Sequence, residues 1–176
     1  RAPTMLLDLP DVITAEELYQ RNGIQFLPFN TVYQLADERV NGLLELADTV
    51  LLVPDLITYW LTGQRVAERT NASTTGLLGL DGAWDHELMN RLKLPHTLFP
   101  ELVEAGSSRG PLLPEVAAQL GFQTEVASTA SHDTASAVAA IPMRDDQSAY
   151  ISCGTWGLVG VELAQPVTTE ASRTAN

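Results

Sequence analysis

An α/β fold with a helix-rich leading part is what this amino-acid sequence predicts, and three observations predict it. Between Leu18 and Gly121 leucines recur at helical spacing, interrupted by turn signals. From Thr124 onward short β-branched runs alternate with an alanine-rich helical stretch. The 176 residues are 45% hydrophobic and 18% charged, enough apolar side chain to bury a core in one domain, or in one domain and part of a second.

Each element has a local reason. Glu16-Glu17 reads as the acidic first turn of a helix, with a break at Asn22-Gly23. Thr31 is placed to cap a helix carrying Val32, Leu35, Val40, Leu43, Leu44 and Ala47 on one face. Asp55 is the expected cap of a second helix, Leu56 to Leu61, before the Thr62-Gly63 break. After Asp81-Gly82, Asp85 starts a third short helix through Leu92. Past the break from Gly106 to Pro111, Pro114 opens a fourth, Glu115 to Leu120, which Gly121 closes. A strand from Thr124 to Ala127, a helix from Thr134 to Ala140 opened by Asp133, and a strand from Ala149 to Ser152 then lead into Gly154-Thr155. The polar run Arg144 to Gln147 is the expected hinge between a first unit, 1–144, and a second, 145–176. The tail from Thr168, rich in Thr, Ser and Ala, is expected to carry neither a helix cap nor a core residue.

Composition excludes several classes of function. A net charge of −12 with only ten Lys and Arg, none clustered, argues against a nucleic-acid partner. No stretch approaches the ~20 apolar residues of a membrane helix, and Arg1 to Pro10 lacks the basic and apolar regions of a signal peptide. The expectation is therefore a cytoplasmic protein, with its oligomeric state open. The lone Cys153 leaves no internal disulfide and no cysteine-based zinc site. A histidine site joining His132 and Asp133 to His86 or His96 lacks ligand spacing, so no metal-binding residue is assigned. Trp60 and Trp84, set among leucines, are expected in the core, and only Trp156 falls near the candidate site.

Chemistry concentrates in two segments, Ser131-His132-Asp133-Thr134-Ala135-Ser136-Ala137 and the run SCGTWG that begins at Ser152. An acid beside a hydroxyl-rich glycine turn, one helix and one strand apart, suits phosphoryl transfer. A carboxylate within hydrogen-bond reach of an attacking hydroxyl can accept its proton. A glycine lets backbone N–H groups approach a phosphate, and the threonine hydroxyl adds a donor. The helix pattern alone also accommodates Asp133 as an ordinary N-cap, His132 as a structural histidine and Gly154-Thr155 as an ordinary β-turn.

Six stretches together resemble the FGGY carbohydrate kinases: Gly23 to Thr31 (GIQFLPFNT), Val53 to Gly63 (VPDLITYWLTG), Thr70 to Leu77 (TNASTTGL), Trp84-Asp85, and the two segments above. They follow that family's order and spacing from about Gln20 to Glu162. The resemblance implies an actin-like ATPase fold of ribonuclease H type, in which two α/β domains close over a sugar and ATP. It further implies phosphorylation of the terminal hydroxyl of a ketose such as L-rhamnulose, with Mg²⁺ bridging the phosphates. By the same resemblance Asp133 is the proton acceptor, His132 and Thr134 hold sugar hydroxyls, and Gly154 and Thr155 bind ATP. Cys153 and Gly157 stand where members more often have serine, without removing those contacts.

Family members are longer, opening with a phosphate loop and closing with an adenosine site that are not found in this sequence. The expectation is a piece holding the later part of the N-terminal domain and the opening strands of the ATP-binding domain, without kinase activity by itself. Two other readings are a non-catalytic sugar-binding or regulatory module, against which the intact Asp133 argues, and a fragment that self-associates through an exposed interface.

Overall fold

Thr14 opens the first helix, α1 (Ala15–Asn22), by accepting the Glu17 amide on its hydroxyl, with Glu16 and Glu17 in the first turn. The fold, a computed structural model, describes residues 12–143, 145 and 148–175. The N-terminal stretch Arg1 to Pro10 and, within the expected hinge, Arg144, Asp146 and Gln147 lie outside the described residues.

Helix α2 (Thr31–Val40) begins one residue earlier than expected, with Asn30 rather than Thr31 at the cap. The Asn30 side chain donates instead to the Gln25 carbonyl at 3.1 Å. The apolar face does not run on to Ala47. Gly42, at φ 73°, ends the helix, and Leu43–Leu46 forms a separate 3₁₀ turn. A left-handed residue cannot continue the i→i−4 ladder, so Val40, Leu43 and Leu46 are left exposed.

Helix α3 (Val53–Thr62) also starts early, with Leu52 at the cap and Pro54 in the first turn, where a missing N–H loses no helical bond. Asp55 therefore does not cap this helix; it is buried in the first turn and serves a different partner. Gly63 stops α3 by donating to the Tyr59 carbonyl.

Two strands that leucine spacing did not reveal come next: β1 (Val66–Glu68) lies parallel to β2 (Glu101–Val103), with Glu68 opposite Val103. Three residues are too few to display a two-residue period. Between these strands come α4 (Arg69–Ala72) and α5 (His86–Arg91), which Asp85 caps by accepting the Leu88 amide at 2.9 Å. Asp85 also takes a two-pronged ion pair from Arg21 at 2.6 and 2.7 Å, joining the end of α1 to α5. Burial alone would raise the Asp85 carboxyl, but the Arg21 guanidinium and backbone amides outweigh it and hold it below the usual range.

Strand β3 (Ser108–Pro111) pairs antiparallel with β4 (Glu125–Ala127), and α6 (Pro114–Leu120) fills their connection as expected. Helix α7 (Asp133–Ala139) then packs against β5 (Ala149–Cys153), which turns back as β6 (Gly157–Val161) in an antiparallel hairpin. Past the hairpin, the tail forms helix α8 (Glu170–Ala175), contrary to expectation. Thr169 starts it by accepting the Ser172 amide, and the Tyr19 hydroxyl of α1 reaches Ser172 Oγ at 3.2 Å, so tertiary contact supplies what a six-residue polar helix lacks.

The core lies where α1, α2 and α5 converge, around the fully buried Val32, Tyr33, Leu77, Leu88 and Met89. Leu88→Ala is expected to destabilise the chain by about 2–5 kcal/mol through lost burial and a residual cavity, read as a lower urea midpoint at unchanged m-value. Trp84 packs on Phe99 and donates its indole N–H to the Pro100 carbonyl at 2.9 Å. Trp60 does not join the core: it is 60% exposed on α3. Among the described residues no helix is long and apolar enough to cross a membrane.

Candidate active site

The site is assembled on a buried acid. Glu68, at the end of β1, is 1% exposed, and its carboxylate accepts five hydrogen bonds. Three come from the start of α4: the Thr70 amide (2.9 Å) and hydroxyl (2.5 Å) and the Asn71 amide (3.2 Å). The other two come from Ser131, whose amide (3.0 Å) and hydroxyl (2.9 Å) both reach Oε2. Burial by itself would push the Glu68 carboxyl up, but the donors of Thr70 and Ser131 favour the charged form more strongly and leave it below its usual value. The Glu68 amide in turn donates to Asp55 Oδ1 at 3.1 Å, which is the use α3 makes of its buried first-turn acid.

Glu68 thereby secures the loop that runs from β4 into α7. Upstream, the Ser128 amide donates to Ser107 O and the Ser128 carbonyl accepts from the Gly106 amide. Downstream, the His132 amide donates to the Thr70 hydroxyl at 3.3 Å, and the Ser136 hydroxyl donates to the Ala130 carbonyl.

The half-buried His132 is the cap residue of α7, and Asp133 is the first residue of the helix. Asp133 is exposed; its Oδ1 accepts the amide of its own neighbour Thr134 at 2.7 Å and lies 3.5 Å from that residue's hydroxyl. The alternative of an ordinary N-cap therefore does not describe Asp133, because His132 holds that position and the helix has no side-chain cap bond. His132, Asp133 and Thr134 thus stand together at the head of one helix, on a loop anchored from beneath.

Gly154 and Thr155 occupy the exposed bend between β5 and β6, closed by the Gly154 amide donating to the Trp156 carbonyl at 2.9 Å. A Cβ added at Gly154 would meet nothing within 4 Å, so the bend is open on that side. Packing of α7 on β5 puts the hairpin bearing this bend beside the helix bearing Asp133. Trp156 stands over Phe29, ring centroids 5.9 Å apart, so the GIQFLPFNT segment touches the bend. Asp145, the described residue of the expected hinge, is exposed, and its Oδ1 accepts the Ser148 hydroxyl at 2.9 Å.

Below the loop lies a cavity of about 270 Å³ lined by Asp55, Thr58, Leu61, Glu68, Ser128 and Ser131 among others. Asp55 is 3% exposed, and its Oδ2 has no hydrogen-bond partner among the described residues. Burial, only partly offset by the Glu68 amide and reinforced by the Glu68 charge, pushes its carboxyl up to about 6. The rings of His86 and His96 lie 4.3 Å apart, and among the described residues no group of three or more His, Cys, Asp or Glu is arranged to hold a metal.

Sequence reading singled out the segment Ser131 to Ala137 but gave Ser131 no role of its own, and it missed Glu68. An acid directly before Arg69-Thr70-Asn71-Ala72, just after the short apolar run Val66-Ala67, was the available signal, since such an acid can cap the helix that follows.

This chain is similar to several known proteins. The rhamnulokinase of Pectobacterium carotovorum is 44% identical over 165 residues, covering 92% of this chain and 32% of the relative. That of Bacillus subtilis is 42% identical over 164 residues, covering 92% and 34%. The chain thus spans about a third of the length of the curated relatives it matches. Among solved structures, a ligand-bound xylulose kinase from Lactobacillus acidophilus superposes with a TM-score of 0.79 at 24% identity, over 94% of this chain and 35% of that one. The xylulose kinase from Rhodospirillum rubrum gives 0.77 at 23% identity, over 90% and 33%. These structural neighbours carry the actin-like α/β fold. The sequence profile of the N-terminal domain of the FGGY family of carbohydrate kinases matches residues 1–140, most of the chain, and on that match the chain belongs to the FGGY family.

Proposed function

We propose that this chain forms the sugar-side part of an ATP-dependent kinase of rhamnulokinase type, which phosphorylates the terminal hydroxyl of a ketose such as L-rhamnulose. Residues 1–144 belong on this reading to the later part of the N-terminal domain and 145–176 to the opening strands of the ATP-binding domain. Its chief support is the placement of an exposed Asp133, between His132 and Thr134, on a loop held by a buried acid. Asp133 accepts the proton of the attacking hydroxyl as the new O–P bond forms and the γ-phosphorus separates from ADP. A carboxylate suffices because phosphoryl transfer has a loose transition state, in which positioning matters more than basicity. His132, able to donate and accept, and the Thr134 hydroxyl orient the sugar.

Gly154 and Thr155 are the residues assigned to ATP. The open face of the bend and the exposed threonine hydroxyl suit a phosphate. Mg²⁺, when bound with the nucleotide, neutralises charge on the phosphates, and such an ion needs few protein ligands.

A polypeptide of the relatives' full length carrying this segment is expected to release ADP with L-rhamnulose, at a kcat/KM above that for other ketoses. Coupled detection of ADP across a ketose panel reads this out. Turnover with no ketose would overturn the reading, and preference for another ketose would overturn the assigned sugar.

A further inference from the structure

We propose that Glu68 is a positioning residue for the reaction, a latch that fixes where Asp133 stands; this rests on the reading of Asp133 as proton acceptor. Two of its five hydrogen bonds go to the amide and hydroxyl of Ser131, two residues before Asp133 and 63 residues away in sequence. A helix cap for α4 would need only the bonds to Thr70 and Asn71; those to Ser131 add nothing to that helix. The same acid also acts at one remove, since the Thr70 hydroxyl that donates to it accepts the His132 amide. The latch is itself fixed from behind, with its backbone amide tied to Asp55 and its side chain shielded from water. A buried, ionised and fully bonded carboxylate has one low-energy arrangement, which suits it to set the loop's position. Misplacing a reacting group by about 1 Å can lower a rate by about 10²-fold.

The oxygens differ in their use. Oε2 takes both Ser131 donors, the Thr70 hydroxyl and the Asn71 amide, whereas Oε1 takes only the Thr70 amide. Glu68→Gln can therefore keep an oxygen at the Oε2 place and set its NH₂ against the Thr70 amide. Glu68→Ala removes every acceptor, and Ser131→Ala removes one donor from the other side.

All three variants, in a polypeptide of the relatives' full length, are compared with wild type by amide hydrogen exchange of residues 129–134 without ligands and by steady-state kinetics. Glu68→Ala is expected to speed exchange in this segment at least about tenfold and to lower kcat about 10²-fold. Ser131→Ala and Glu68→Gln fall between that variant and wild type in both measurements. A folded Glu68→Ala with unchanged exchange, or with faster exchange and unchanged kcat, overturns the proposal. Should Glu68→Ala fail to fold, unchanged kcat in both milder variants does the same. The exchange measurement is independent of whether Asp133 is the base, which Asp133→Asn decides separately.

Discussion

Asp133→Asn is expected to lower kcat for sugar phosphorylation by about 10²–10⁴-fold, while changing sugar and nucleotide affinity little. Asparagine has nearly the same shape and keeps an oxygen to accept the Thr134 amide, which Asp133 Oδ1 now does at 2.7 Å. What is lost is the ability to take a proton. Asp133 is exposed and makes no ion pair among the described residues, so the fold should tolerate the change. The measurement is single-turnover phosphorylation at saturating ketose and ATP, in a polypeptide of the relatives' full length, with sugar binding followed separately by calorimetry. Retained turnover at intact binding would remove Asp133 from the chemistry.

The second large effect is on stability and comes from Asp55. Its carboxyl, ordinarily near 3.8, is pushed up to about 6 by burial, with the neighbouring Glu68 charge adding to the rise and the Glu68 amide opposing it. The folded state thus binds the Asp55 proton more tightly than the unfolded chain does. Stability from this group is complete below pH 4 and declines as the pH rises toward 6, by about 3 kcal/mol if the whole difference is expressed. Glu68 acts in the opposite sense: its carboxyl is lowered, so its contribution is present above its ordinary value of 4.5 and disappears as the pH falls through the folded-state value. Asp55→Asn isolates the first effect. Asparagine keeps an acceptor for the Glu68 amide and carries no charge, so the variant is expected to be about 1–3 kcal/mol more stable than wild type at pH 7. The gain should shrink steadily to nothing near pH 4. Urea unfolding of both chains from pH 4 to 8 checks this, and a variant less stable than wild type at pH 7 would show that ionised Asp55 is compensated in the folded state.

These two acids also mark how far the sequence could be read. Asp85, Pro114 and Gly121 did what their local chemistry predicts, because a cap or a stop acts within one turn of its own helix. Asp55 obeyed no such rule: the expectation of a cap failed because its side chain turns to Glu68 across the fold. Likewise the tail from Thr168 has no apolar stripe of its own, and α8 exists through contacts with Tyr19 of α1.

By itself the sequence determined the α/β character, the helix limits at Asp85, Pro114 and Gly121, and the adjacency of His132, Asp133 and Thr134, all of which depend on residues close together in the chain, and it showed membership of the FGGY family through the order and spacing of several such stretches. Only the tertiary structure decided that Glu68 would be buried under the Asp133 loop, that Asp55 would hold a raised carboxyl beneath it, and that Trp60 would face water. The energy of a buried charge is set by donors brought from distant segments, here Ser131 to Glu68 across 63 residues, and no local pattern encodes that encounter.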